Sequence, residues 1–315
     1  MAAAQHTGEH DIPVPSEHSF LQRLPRSTAK FARRYPLGAC GALFTILLVG
    51  MAVAPGVFTP LSTQDPLKQS IFDRLQGPGA AHWFGTDELG RDVYARIVFG
   101  ARTSVIIGLG VVMVSQILAV GIGTISGYYG GWFDSAFQRL IDIAIAVPGL
   151  IFIILTVRAL APRLPTILFV APDVVAIILS VAILTSASSS RTVRSVALSV
   201  REEQYVEAAR ALGAANLRVM MRHVVPNLFA VVIVSASLLV GTAILIESSL
   251  SFLGYGVQPP TPSWGRMLND ARSQLTRAPH LAVFPGLVIF LTVWSCNMLG
   301  DALRDRLDPR MRGTH

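Results

Sequence analysis

The side chains able to do chemistry in this sequence stand singly. Hydrolysis of a peptide or ester needs a Ser or Cys beside a His and an acid, or a clustered metal set. Ser186 to Ser190 has no partnering His and Asp, and reads as close helix packing or a hydrated helix end. His82, His223 and His280 are scattered, so no metal site is expected. The two cysteines, Cys40 and Cys296, lie inside apolar runs, which leaves neither a disulfide framework nor a Cys-based metal site. A phosphate-binding loop needs Gly-Lys followed by Ser or Thr, because the Lys reaches the phosphates. The two lysines, Lys30 and Lys68, follow Ala29 and Leu67, so the sequence has no such loop. It is expected to bind no cofactor and to catalyse nothing by itself.

One polar segment is patterned for contact instead. Between Arg191 and Val225, Glu202 and Glu203 open a predicted helix, where negative charge suits the helix dipole. Val206, Ala209 and Leu212 supply an apolar stripe, and Ala208, Ala209 and Ala211 let another backbone approach. Glu207 and Arg210, three apart, can pair. Gly213 stands where a helix C-cap belongs, and Asn216 where a second helix would be N-capped before running into Pro226. A plain connector in a helix bundle needs only about 2 to 8 residues. This one is several times longer, which predicts a docking surface for a partner.

The elements that must hold this segment are membrane spans. Hydrophobic residues make up 52% of the chain and charged residues 14%, with a mean hydropathy of +0.53. Soluble domains carry about 25% charged residues, so lipid is the solvent and the fold is all-α, polytopic. A span needs about 20 apolar residues. Six runs are candidates, the third of them short: Leu37 to Phe58, Thr103 to Phe133, Ile143 to Val157, Val174 to Ser190, Val224 to Ile246 and Leu281 to Gly300. Ala52-Val53-Ala54 fits a signal-cleavage site, but the polar lead is too long and the apolar run longer than a signal h-region, so an uncleaved helix is expected. Pro148-Gly149 should kink the third span, with Asp142 and Arg158 snorkelling to the two interfaces.

Net charge is +7. The cations sit between apolar runs and form no nucleic-acid module, so membrane lipid is the expected anionic partner, with no nucleic acid. With six spans, the side bearing both termini carries sixteen cations and the other ten. That bias puts both termini in the cytoplasm. The organisation read from the sequence is a cytoplasmic segment 1–36, a first helix 37–58 and an external loop 59–102. A five-helix core 103–304 follows, with a cytoplasmic loop 191–225 and a rigid external loop 251–280, and then a tail 305–315. Within the loop 59–102, Gly85 to Gly100 reads as an amphipathic helix on the outer face, with Asp87 as its cap. Glu247 should be hydrated or held by a structural hydrogen bond, and Arg139 with Asp142 should anchor a helix end. Asn297 could line a pore or bond between helices. The spans are nearly free of charge at mid-depth, which argues against an ion-coupled carrier.

Glu207-Ala208-Ala209, Gly213 and Pro226 resemble the EAA loop of ABC-importer permeases, with His223 and Val225 where that pattern has Ile and Leu. Gly85-Thr86-Asp87-Glu88-Leu89-Gly90-Arg91-Asp92 is similar to a segment of peptide and nickel permeases. Ser251 to Gly254, Gln258 to Gly265 with Trp264, Asn297 to Asp301 and Leu303 to Arg310 also resemble them, closest to the C-type subunits. The resemblance covers about residues 80 to 311. It implies a type I ABC-importer transmembrane fold and import of dipeptides or short oligopeptides, or of nickel, glutathione or another small solute. It also implies a B-type permease as heterodimeric partner, an external binding protein and two cytoplasmic ATPase subunits that use ATP and Mg. Glu207, Ala208, Ala209, Arg210, Leu212, Gly213 and Pro226 would then couple to an ATPase. Gly85, Thr86, Asp87, Gly90, Arg91, Asp92, Trp264 and Gly265 would belong to the outer face.

Overall fold

The computed structural model describes residue 33 and residues 35–60, 65–167 and 170–307. The expected segment 1–36, apart from Arg33, Tyr35 and Pro36, and the tail motif at Asp308-Pro309-Arg310 lie outside the described residues. Among the described residues, five helices are long and apolar enough to cross a membrane, or six spans with one bent pair of helices counted as a single span.

The first helix, α1 (Pro36–Val53), starts on a proline whose missing N–H costs nothing at that position. It stops at Ala54, and a separate turn of helix, Pro55–Phe58, completes the apolar run. Helix α2 (Val93–Tyr129) has 37 residues. At 1.5 Å per residue it is about 55 Å long, well beyond a hydrocarbon core of roughly 30 Å. The amphipathic stretch 93–100 is therefore the protruding first turns of α2, not a separate surface helix. Its cap is Asp92, which accepts from Ala95 N at 2.8 Å; Asp87 does other work. A lone glycine such as Gly100 lowers helix propensity without ending the helix.

The third crossing is α3 (Gly131–Ala146) followed by α4 (Gly149–Leu160), bent by 92°. The break falls at Pro148, whose ring clashes with the preceding turn. Asp142 pairs with Arg191 of the next helix rather than with Arg139. That helix, α5 (Pro172–Arg201), leads into α6 (Gln204–Ala211). Helix α7 (Asn216–Phe252) then crosses back through a π-helical turn at Met220–Val224. The turn has a local cause. Pro226 has no N–H for the Arg222 carbonyl, and Val225 N–H reaches back five residues to Met220 O. Helix α8 (Trp264–Ala271) and α9 (His280–Leu307) complete the chain. The segment 251–280 thus contains a helix that its Gly and Pro content concealed.

Helices α2 and α5 run parallel and in close contact. Ile178 lies beside Gly110, Thr185 Oγ1 donates to Ser115 Oγ at 3.1 Å, and Ala197 meets Gly127. A Cβ added to Gly123 would stand 2.6 Å from Ser190 O, so the small residue is what lets these backbones approach. Ser186 and Ser190 are buried there and donate to carbonyls of their own helix. Helix α7 runs antiparallel to α2, with Ile244 on Gly108, and α9 antiparallel to α7, with Leu238 on Gly300. Helix α1 lies along α9, Gly41 beside Ser295 and Leu299. The starts of α1 and α7, the ends of α2, α5 and α9, and the whole of α6 therefore share one end of the bundle. The segment 65–92, the start of α2, α8 and the start of α9 share the other.

Candidate functional site

At the α6 end, a short amphipathic helix is sealed to the bundle by one face. Val206 is fully buried, with Val219, Met220 and Val224 of α7, Val193 and Ala197 of α5, and Ala119 of α2. Ala209 and Ala214 pack on the same cluster. The apolar stripe is thus divided: Val206 and Ala209 turn inward, while Leu212 is 89% exposed. Glu207, Ala208 and Ala211 are exposed with it, as is Pro226.

Gly213 ends α6 in the left-handed region at φ +82°. Gly213 N donates to Arg210 O at 2.9 Å and Ala214 N to Ala209 O at 3.1 Å, the two bonds of a Schellman cap. The anticipated cap at Asn216 is not made. Ala215 holds that position, and the Asn216 carboxamide instead accepts from the Tyr128 hydroxyl at 3.0 Å. Nor does Arg210 pair with Glu207: its guanidinium lies over the Tyr128 ring, 4.8 Å from the centroid. Arg201 Nη1 donates to Tyr128 O at 3.1 Å. Tyr128 thus ties the ends of α2 and α5 to α6 and to the start of α7. Nothing near Tyr128 in the sequence signals this role, because every partner is remote along the chain.

At the opposite end, the segment 85–92 forms a compact loop. Thr86 bridges to Asp92, whose carboxylate caps α2 and meets His82 Nδ1 at 2.7 Å. Gly85 and Gly90 both have positive φ. Asp87 is buried and pairs with Arg91 at 2.7 Å and Arg96 at 2.5 Å. Helix α8 brings Asp270 within 3.8 Å of Arg91 and 3.6 Å of Arg96, and Arg266 pairs with Asp270 at 2.9 Å. Trp264 is fully buried and donates its Nε1 proton to Ile97 O of α2 at 2.9 Å, and Gly265 sits against Ser248 of α7. Glu247 is fully buried and accepts from Ser251 Oγ at 2.7 Å, the structural hydrogen bond of the two alternatives. Arg96, Arg266 and Asp270 were not singled out by sequence reasoning. The spacing of Arg266 and Asp270, four apart after the N-cap Ser263, was the available signal.

The two sets of residues therefore sit at opposite ends of a spanning bundle. One is a short helix exposed on one face and packed by the other on three spans; the other is a cross-braced cap. Neither contains a reacting constellation.

Residues 119–313 match the family described as the binding-protein-dependent transport system inner membrane component. The chain is 41% identical over 307 residues to a dipeptide transport system permease protein of Alkalihalophilus pseudofirmus, covering 97% of this chain and 96% of that one. It is 38% identical to a glutathione transport system permease protein of Pectobacterium atrosepticum, over 96% of each chain. The corresponding glutathione permease of Escherichia coli is 38% identical over 89% of each. The chain belongs to the family of binding-protein-dependent inner membrane transport components, the permease subunits of ABC importers. It is a multi-pass membrane protein and a transport subunit rather than an enzyme, and it works with another permease, an ATPase and a binding protein.

Proposed function

We propose that this chain is the C-type half of a dipeptide importer in the cytoplasmic membrane, with both termini in the cytoplasm. The observation that carries the reading is the exposed face of α6. Leu212, Ala208 and Glu207 stand clear of the bundle while Val206 anchors the same helix to α2, α5 and α7. A helix held so firmly on one side and left open on the other transmits a push. The pushing partner is a cytoplasmic ATPase subunit, one of two that use ATP and Mg. ATP binding draws the two ATPases together, and α6 moves the spans. The second permease is a B-type relative, and a binding protein delivers substrate at the α8 end. Dipeptides are the first substrate class because of the 41% identity to a dipeptide permease; the glutathione permeases at 38% favour glutathione as the second.

The test is uptake of a labelled dipeptide in cells lacking their own importer. Replacing Glu207, or Gly213 by a β-branched residue, should abolish uptake while the protein stays inserted and abundant. Uptake that persists unchanged in ATP-depleted cells would instead indicate an ion-coupled carrier. Co-purification in mild detergent should yield the B-type permease and the ATPases.

A further inference from the structure

A helix face that meets lipid should be apolar, and α1 obeys: its exposed side chains include Leu43, Ile46, Leu47, Val49 and Val53. The second half of α5 does not. Its exposed positions are Ser188, Arg191, Thr192, Ser195 and Ser199, and no large apolar side chain is exposed between residues 184 and 199. Steps of four and three residues put Ser188, Thr192, Ser195 and Ser199 on one line along the helix. Beside that line, α3 presents Ser135, Arg139 and Asp142, all exposed. Asp142 and Arg191 pair across the two helices with side chains 55% and 43% exposed. Asp134 and Arg194 pair one turn nearer the end of α5 and are more covered.

These groups lie well inside the membrane level. Tyr129, Trp132 and Phe133 form an exposed aromatic cluster at the start of α3, as side chains at a membrane interface do. Arg201 donates to Tyr128 O, which fixes the end of α5 at that level. Arg191 is then about 15 Å along α5 from the interface, and Ser188 about 20 Å. An ion pair and a line of hydroxyls at that depth, turned away from their own bundle, fit water rather than lipid.

We infer that this face of α3 and α5 lines the water-filled path, and that Asp142 and Arg191 form a subsite for the two charged ends of a dipeptide. The inference rests on the proposed function, which supplies the substrate class. Charge complementarity selects a zwitterion, because a carboxylate and a guanidinium stand side by side. An exposed ion pair is weak in water, so it opens to a ligand at little cost. The Asp142 carboxylate then accepts from the peptide ammonium, and the Arg191 fork donates to the peptide carboxylate. Ser188 Oγ donates to Thr185 O at 3.1 Å and Ser195 Oγ to Thr192 O at 2.8 Å. Their oxygens keep the capacity to accept from peptide N–H groups.

The experiment uses the complete importer in lipid nanodiscs without binding protein. The chain carries Thr192→Cys, with Cys40, Cys296 and the cysteines of the other subunits replaced. A charged, water-soluble thiol reagent should label position 192. Dialanine at about ten times its dissociation constant should slow that labelling about tenfold, while the N-acetylated, C-amidated dialanine should not. Adding Asp142→Asn should leave labelling intact and remove the protection, which a misfolded chain could not do selectively. Failure of position 192 to label would show that lipid or the second permease covers this face, and would overturn the inference. So would labelling that dialanine does not slow, or that the blocked peptide slows equally. Uptake of labelled dialanine by the same importer with its binding protein separates the two readings. Uptake without protection overturns the subsite alone, and absence of uptake overturns the proposed dipeptide function as well.

Discussion

At the residue scale, two positions separate a structural from a mechanical role. Gly213 occupies φ +82° with no neighbouring atom within 4 Å of the place a Cβ would take. The cost of a side chain there is conformational, about 1 kcal/mol or more, and least for Asn, which tolerates the left-handed region. Gly213→Asn is therefore expected to retain measurable dipeptide uptake, Gly213→Ala less and Gly213→Val least, at equal membrane abundance on immunoblots. Asp87 is the contrasting case. Removing its carboxylate by Asp87→Ala leaves Arg91 and Arg96 facing each other with only the longer contacts to Asp270. Breaking a buried pair from one side costs about 3–5 kcal/mol, so this variant should lose thermal stability in detergent, whether or not it transports. Trp264→Phe should lose far less than Trp264→Ala, since the ring keeps filling the site against α2 and only the bond to Ile97 O is lost.

At the element scale, the decisive contacts are between helices that sequence cannot pair. Composition and run length marked six candidate spans, five of them single long helices and one a bent pair, and Pro148-Gly149 marked the sharp bend, because lipid imposes length and proline imposes geometry. The same reasoning divided α2 wrongly, reading its protruding first turns as a surface helix, since amphipathicity looks alike in both settings. It also read α6 as a free stripe. Periodicity gives the face of a helix but not its direction, and Val206 proved to be the inward half while Leu212 faced out. The pairings of Tyr128 with Asn216 and Arg210, and of Arg96 with Asp270, join residues about 80 or more positions apart or on different helices, and no local pattern encodes them. Two predictions belong here. Gly123→Val should separate α2 from α5 at Ser190 and lower thermal stability in detergent. Tyr128→Ala removes the ring under Arg210 and the bond to Asn216 together, and should leave ATP hydrolysis running while uptake falls. Tyr128→Phe, which keeps the ring, should fall less. The ratio of substrate imported to ATP consumed in proteoliposomes measures the difference.

At the scale of the whole molecule, the two candidate sites lie at opposite ends of the bundle. The spans place α6 at the end that holds the described start of α1 and the described end of α9, and the ion-pair cap at the other. The excess of arginine near that first end agrees with a cytoplasmic orientation for it. In the proposed reading the chemistry of ATP is carried out on a partner subunit and reaches the spans through α6. Everything then turns on which compartment sees the open face of α6. The direct measurement is a cysteine at position 212, Leu212→Cys, in a chain whose Cys40 and Cys296 have been replaced. A membrane-impermeant thiol reagent should leave it unlabelled in intact cells. It should label it in inverted vesicles, and co-expressed ATPase subunits should shield it there. Labelling of position 212 from outside intact cells would contradict the account.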